Sequence, residues 1–220
     1  LSKLIVQGSL KLGAATAYPT FNLGSSDNSL TISNGALATA GMERTKSLSI
    51  GYERFADDNW VLVTGVGSSL VANDIQVGSS SKTNSGNALM IANGGAVTAG
   101  SIAFNANSIF AVDANYSATA PLTVVNTASI NATSTARLTL SANGELRKRT
   151  TLISAGTAVS GSFGTLNDDA LGAGFTASLD YDATHAYLDL VSGLGSGETL
   201  ADNQKNLATS LNEYFNGGGA

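Results

Sequence analysis

The 220-residue chain contains no cysteine and has only two prolines, one tryptophan and one histidine. Without cysteine it can form neither a disulfide framework nor a thiolate metal site, and it has no cysteine nucleophile. No apolar run reaches the roughly 18 residues that indicate a membrane-spanning helix. We expect no signal peptide in it, and the strand-like start at Leu4–Val6 suggests a piece of a longer chain.

Charge is also scarce. Charged residues make up 12% of the chain, against roughly 25% in a typical globular domain. The formal net charge is −5, which argues against a nucleic-acid-binding surface. The one basic cluster, Arg147–Arg149, is interpreted as a solvated turn or strand end. Small polar residues and 25 glycines replace the missing charge, a composition unlike that of a typical cytosolic enzyme.

Short apolar alternations that end at asparagine and glycine recur along the chain. Leu30–Ile32 ends at Asn34–Gly35, and Leu89–Ile91 ends at Asn93–Gly94. This pattern predicts many short strands separated by turns. Trp60 begins another such run and is interpreted as a core or partly buried residue rather than a ligand-stacking one.

A degenerate repeat accompanies the strands. Residues Asn28–Gly41 align with Asn87–Gly100 at eight of fourteen positions, and a looser copy in Trp60–Gly78 places the units at about half that distance. Repeats of roughly 20–50 residues indicate solenoids, propellers or arrays, and these units are too short for propeller blades. We therefore predict a β-solenoid with asparagine and glycine at its corners. Five residues are predicted to stack inward as an apolar column: Leu30, Ile32, Leu62, Leu89 and Ile91.

The repeat fades after about residue 103 although strands continue, and the strands between Thr150 and Val191 are predicted to form hairpins of a terminal β subdomain. Residues 193–197 are a glycine-rich linker. Thr199 is a possible N-cap for a helix whose apolar face is Leu200, Leu207, Leu211 and Phe215, and Gly217–Gly219 would stop it. The predicted domains are solenoid coils over 1–135, a C-terminal cap over 136–192, and a linker with an α-helix over 193–220.

Catalytic and metal sites are not expected. The single histidine, His185, lies in a predicted hairpin turn without a positioned nucleophile or acid. The acid pairs Asp57–Asp58 and Asp168–Asp169 are adjacent in sequence, so on a strand they point to opposite faces and cannot act as a glycosidase pair. No calcium-binding spacing occurs. Asn115 and Asn131 begin glycosylation triplets, which are common by chance. We therefore predict no enzyme activity, cofactor or metal.

The segment Thr151–Leu166, followed by Tyr181–Asp182 and Ala186–Val191, resembles the C-terminal end of autotransporter passenger domains. In those proteins such a segment ends in a glycine-marked turn and a phenylalanine, followed by two strands. Asn203–Asn212 is similar to the helical linker that precedes their membrane barrel. The resemblance covers most of the chain and implies a right-handed parallel β-helix with a C-terminal β-hairpin cap and a short α-helix.

The resemblance also implies a function, that of a non-catalytic stalk and folding nucleus that supports secretion and surface display. The implied partner is an outer-membrane β-barrel of the same polypeptide, which the sequence ending at Ala220 does not contain. The implied location is the bacterial surface or the secreted fraction. Residues 41–49 and 53–59 are predicted to form protruding loops. The alternatives are an adhesin or self-associating module, binding through coil residues or through Glu43–Lys46 and Glu53–Asp58 of these loops, and a carbohydrate-active β-helix.

Overall fold

A computed structural model describes residues 3–6, 10–12, 26–40, 47–81, 83–115, 120–142 and 144–219. Within these ranges the chain is mostly β and forms a parallel β-solenoid of about five turns, followed by one C-terminal helix. The predicted fold class is therefore confirmed.

The strands and the helix follow one another in a regular order along the coil. Their bounds are β1 (Lys3–Val6), β2 (Leu10–Leu12), β3 (Ser29–Ile32), β4 (Leu37–Ala40), β5 (Ser47–Ile50), β6 (Trp60–Thr64), β7 (Ser69–Val77), β8 (Ala88–Ala92), β9 (Ala96–Phe104), β10 (Ile109–Asp113), β11 (Leu122–Val124), β12 (Thr127–Ile130), β13 (Thr135–Thr139), β14 (Arg149–Ala155), β15 (Ala158–Gly161), β16 (Thr165–Asn167), β17 (Phe175–Tyr181), β18 (His185–Ser192) and α1 (Asp202–Asn216).

The strands form two sheets that run along the coil. The six-stranded sheet has the order β16-β13-β10-β8-β6-β3, and all its pairs are parallel. The larger sheet follows β1-β4-β7-β9-β11-β14 and then adds β18 and β17. From β3 to β15, each turn of the coil contributes one strand to the six-stranded sheet and one or two strands to the larger sheet. Neighbouring strands therefore come from successive turns.

Side chains in register build the apolar core. In the six-stranded sheet Val61 lies opposite Leu89, which lies opposite Phe110, and all three are fully buried. Among the residues predicted to point inward, Ile32, Leu89 and Ile91 are buried and Leu30 is half-buried.

The inward prediction for Leu62 is wrong. Val61 and Val63 are both fully buried, whereas Leu62 between them is only half-buried. Successive strand residues point to opposite faces, so Leu62 must face outward once its two neighbours face the core. The four residues from Trp60 to Val63 are all apolar, so the sequence did not show which alternate pair faces the core.

An asparagine ladder lines one corner of the coil. The Oδ1 of Asn59 accepts from the backbone N–H and the Nδ2 of Asn28, at 3.1 and 3.0 Å. The Oδ1 of Asn87 accepts the equivalent pair from Asn59, both at 3.1 Å. The rungs lie 31 and 28 residues apart, so the two clear repeat copies are two turns apart, as the repeat spacing predicted. Asn59 and Asn87 are fully buried.

A second corner uses left-handed backbone. Asn34 and Gly35 have φ of 58° and 73°, and Asn93 and Gly94 have 51° and 81°. Glycine and asparagine tolerate this conformation better than other residues. The repeated asparagine–glycine pairs therefore mark the same corner in turns two apart.

Outside the core, Trp60 is half-buried, as predicted. Residues 53–59 form turns rather than a strand, with Phe55 49% exposed. The other predicted loop covered 41–49. Its residues 41–46 lie outside the described part of the chain, and β5 begins at Ser47, so the last part of that prediction is wrong.

The prediction of hairpins from Thr150 onward is only partly right. β14, β15 and β16 each pair parallel with the preceding turn, through β11, β12 and β13. Among the described strands, antiparallel pairing occurs only where β18 meets β14 and β17. Apolar alternation indicates a strand but not its partner, which is why the sequence alone did not distinguish parallel coil strands from antiparallel hairpin strands. The parallel coil continues to Asn167, and the predicted division at 135/136 falls inside β13.

Candidate functional site

The site with the most distinctive geometry is the C-terminal end of the coil. Strand β18 lies antiparallel along β14, which on its other edge pairs parallel with β11 of the preceding turn, and β17 pairs with β18. The register between β14 and β18 shifts between Thr151 and Ile153, which marks a bulge where parallel stacking gives way to the hairpin. Ala186, Leu188 and Leu190 of β18 are buried and join the core. The hairpin therefore covers the backbone edge that β14 would expose.

Three phenylalanines fill the last part of the coil interior. Phe163, in the corner between β15 and β16, lies with its ring centroid 5.3 Å from that of Phe104 and 5.9 Å from that of Phe110. Phe104 and Phe110 are themselves 5.2 Å apart. Aromatic pairs at such distances add stabilisation beyond the area that they bury. Phe163 thus closes the apolar cross-section of the coil.

The hairpin holds Phe163 in place through Tyr181. The backbone N–H of Phe163 donates a hydrogen bond to the Tyr181 hydroxyl at 3.1 Å. Burial raises the pKa of the Tyr181 phenol. The resemblance pointed to the phenylalanine, whereas nothing in the sequence pattern pointed to Tyr181 as its partner.

The helix α1 packs on the end of β18. Asn212 Oδ1 accepts from the Ser192 hydroxyl and from the Leu194 N–H, at 2.6 and 2.9 Å. Asn216 exchanges hydrogen bonds with the Ser192 backbone at 2.8 and 3.0 Å. The ring of Phe215 lies edge-on to Phe175, with centroids 5.2 Å apart. Two asparagine side chains and one aromatic pair therefore hold the helix against the hairpin.

Two details of the helix differ from the sequence prediction. Its N-cap is Ala201 rather than Thr199, and the Ala201 N–H donates to Gln204 Oε1 at 2.9 Å. Leu207 and Leu211 of the predicted apolar face are 61% and 46% exposed. Leu207 and Leu211 therefore point away from the hairpin, whereas Phe215 of the same predicted face packs on Phe175. The predicted stop at Gly217 is confirmed as the C-cap.

Arg149 organises the charged residues on the solvent face of the hairpin. Its guanidinium binds both carboxylate oxygens of Asp189, at 2.6 and 2.5 Å, and Asp180 at 2.7 Å. It also lies 4.7 Å from the centroid of the Tyr187 ring. The hydrogen bond to Asp189, followed by that to Asp180, raises the pKa of Arg149. This residue of the basic cluster therefore joins β14, β17 and β18 rather than standing free in solvent.

His185 begins β18, beside the turn between the two hairpin strands. Its Nδ1 lies 3.1 Å from Asp182 Oδ1 and 3.0 Å from Thr184 Oγ1. In a Ser–His–Asp triad the nucleophile and the acid occupy different ring nitrogens, whereas here both contacts meet the same nitrogen. Hydrogen bonds from the Thr184 N–H, the Tyr187 hydroxyl and His185 lower the pKa of Asp182. The Asp182 carboxylate therefore stabilises the turn between β17 and β18.

The two pairs of adjacent acids identified in the sequence lie outside the β17–β18 hairpin. Asp57 Oδ1 accepts from the Ser85 N–H at 2.6 Å, a contact between successive turns of the coil. Asp169 Oδ2 accepts from Asn167 Nδ2 at 2.8 Å. Over the described ranges no three His, Asp or Glu side chains gather in a way that could hold a metal ion.

The two glycosylation triplets differ in accessibility. Asn115 is 5% exposed and its side chain binds the Ser141 backbone at 2.7 and 2.8 Å. Asn131 is exposed, and its Oδ1 accepts from the Thr133 N–H and hydroxyl at 2.9 Å. Both side chains thus have local structural roles.

These features define the chain as a β-solenoid protein with a hairpin-and-helix C-terminal end. No protein-family model matches the sequence, and no curated protein matches it. Among the described residues no helix is long and apolar enough to span a membrane.

Proposed function

We propose that this chain is a non-catalytic structural stalk whose C-terminal end caps the coil and nucleates its folding, as part of the passenger of a bacterial autotransporter. In this role it supports secretion and surface display. The observation that carries the proposal is the closure of the coil at one end, where β18 covers β14 and Phe163 fills the interior.

The physical need for such a cap follows from the coil itself. An uncapped solenoid end exposes unpaired strand edges and an apolar cross-section, which favour aggregation. The stability of a solenoid is roughly a sum of unit and neighbour terms, so folding can start at the most stable unit and spread. The hairpin is local in sequence, since β17 and β18 are joined by a three-residue turn, and local pairing forms fast.

The resemblance of Thr151–Val191 to autotransporter passengers supplies the biological setting of the proposal. The partner would be an outer-membrane β-barrel of the same polypeptide, and the location the bacterial surface or the secreted fraction. Self-association or adhesion by the coil is the alternative role, and no single contact favours it.

A comparison of two matched core substitutions tests the folding nucleus. Leu188 of β18 and Leu89 of β8 are both fully buried, so Leu188→Ala and Leu89→Ala should each cost about 2–5 kcal/mol. If the cap nucleates folding, Leu188→Ala slows refolding by roughly tenfold or more, whereas Leu89→Ala mainly accelerates unfolding. Stopped-flow refolding and unfolding measure both rates. A slower refolding of Leu89→Ala, with Leu188→Ala changing only unfolding, would contradict the proposal.

A further inference from the structure

Strand β17 is the terminal strand of the larger sheet. On one side it pairs with β18 in a continuous antiparallel register from Phe175 opposite Ser192 to Tyr181 opposite Ala186. On its other side no strand within the described part of the chain pairs with it. The sheet thus ends in an open seven-residue edge.

The hydrogen bonds at the two ends of the hairpin show which backbone groups face that edge. The Asp182 N–H donates to the His185 carbonyl at 3.1 Å, and the Gly193 N–H donates to the Gly174 carbonyl at 2.8 Å. In an antiparallel pair, hydrogen-bonded and non-bonded residue pairs alternate. The even-numbered residues of β17 therefore bond to β18. Ala177, Leu179 and Tyr181 direct their N–H and C=O groups outward.

Edge strands usually carry features that prevent further pairing, such as proline, lysine, a bulge or an inward charge. β17 has none of them: its sequence is FTASLDY, and its register with β18 is unbroken. Its single charge, Asp180, lies on the solvent face, where Arg149 neutralises it at 2.7 Å. The strand is therefore a template that can accept another strand.

We propose that this edge pairs antiparallel with β17 of a second copy of the chain, about a two-fold axis at Leu179. Ala177 then faces Tyr181 of the second copy, and the two Leu179 side chains face each other on the core side. On the solvent face Ser178 lies opposite Asp180 of the second copy, so the carboxylates are not directly opposed. Each outward residue exchanges both of its backbone hydrogen bonds with the residue opposite.

This register is self-complementary, which favours a second copy over an unrelated peptide. The apolar row of Ala177, Leu179 and Tyr181 continues across the axis, and such cross-strand pairs stabilise a sheet. Because successive strands of the sheet follow the coil, the pairing joins two solenoids tail to tail. This association is independent of the stalk and nucleus role, since it concerns the outer edge of the hairpin and not its contacts with the coil.

Sedimentation equilibrium of the full chain over a wide concentration range is the first test. We expect an average mass that rises toward that of two chains. Ala177→Pro removes an N–H that has no strand partner in the described part of the chain, so it should abolish the rise while leaving the circular dichroism spectrum and melting curve nearly unchanged. A mass that stays at one chain up to millimolar concentration, or an unchanged dimer in Ala177→Pro, overturns the proposal.

The lack of cysteine allows a direct test of the register. In a hydrogen-bonded antiparallel pair the Cα atoms are about 5.5 Å apart, within disulfide range. Leu179→Cys should therefore give a disulfide-linked dimer under mild oxidation. Ser178→Cys has no cysteine opposite it and should crosslink at least tenfold more slowly. Equal crosslinking of both, or none in Leu179→Cys, rejects this register and leaves a different contact as the explanation of any dimer.

Discussion

The backbone N–H of Phe163 donates a hydrogen bond to the hydroxyl oxygen of Tyr181 at 3.1 Å. This bond joins the last corner of the parallel coil to the antiparallel hairpin that covers it. Phe163 packs on Phe104 and Phe110 inside the coil, while Tyr181 belongs to β17. Phe163, which closes the coil interior, and the hairpin that covers the edge of the coil are therefore joined in one unit.

Tyr181→Phe tests this bond. The change removes the acceptor of a partly buried N–H and should destabilise the chain by about 1 kcal/mol. Urea unfolding followed by circular dichroism measures the change. Tyr187→Phe, which removes a hydroxyl bound to exposed Asp182, is the control and should have the smaller effect. The reverse order of the two effects would refute the assigned role.

Phe163→Ala tests the role of this ring in closing the coil interior. Phe163 is 8% exposed, and removing its ring leaves a cavity beside Phe104 and Phe110, so we expect a loss of about 3–5 kcal/mol in unfolding free energy. Phe55→Ala, at a site 49% exposed, should cost much less. Binding of a hydrophobic dye should also rise in Phe163→Ala. A loss below about 1 kcal/mol would show that the coil end closes without this ring.

Asn59→Ala interrupts the asparagine ladder at its middle rung. It removes the acceptor of the Asn28 N–H and Nδ2 and one of the two donors to Asn87 Oδ1, which keeps the Asn59 N–H; because at least three side-chain hydrogen bonds are lost, a loss of about 2–3 kcal/mol is expected. Asn126→Ala, at an exposed site, serves as the control and should lie within about 0.5 kcal/mol of the unchanged chain. Chemical denaturation measures the unfolding free energy of both variants. Equal losses in the two would show that the asparagine ladder does not stabilise the coil.

Gly164→Ala tests the glycine that follows Phe163. A Cβ built at Gly164 would lie 1.8 Å from the Ala132 carbonyl oxygen, whereas one at Gly172 meets no atom within 4 Å. We expect Gly164→Ala to destabilise the chain by about 1–3 kcal/mol and Gly172→Ala to have little effect. Thermal melting of the two variants measures the difference, and equal melting temperatures would contradict the tight corner.

The low pKa of Asp182 predicts a pH dependence. Because the pKa is lower in the folded state than in the unfolded state, the carboxylate stabilises the fold fully above its ordinary value of about 3.9. That stabilisation is lost as pH falls below this value toward the folded pKa. Asp182→Asn should therefore destabilise the hairpin at pH 7, and the difference should shrink below about pH 4. Asp169→Asn, at an exposed site, is the control. A difference independent of pH would contradict the prediction.

The sequence by itself determined the coil. Apolar alternation, asparagine–glycine corners and the repeat at Asn28 and Asn87 are local signals, because side chains alternate along a strand and left-handed corners favour few residue types. Only the tertiary structure decided the direction of pairing after Thr150, the outward face of Leu62, and the partners of Tyr181, Arg149 and Asn212. These depend on which strand lies alongside another, and that choice comes from packing between segments far apart in the chain. The same choice leaves β17 at the edge of the sheet.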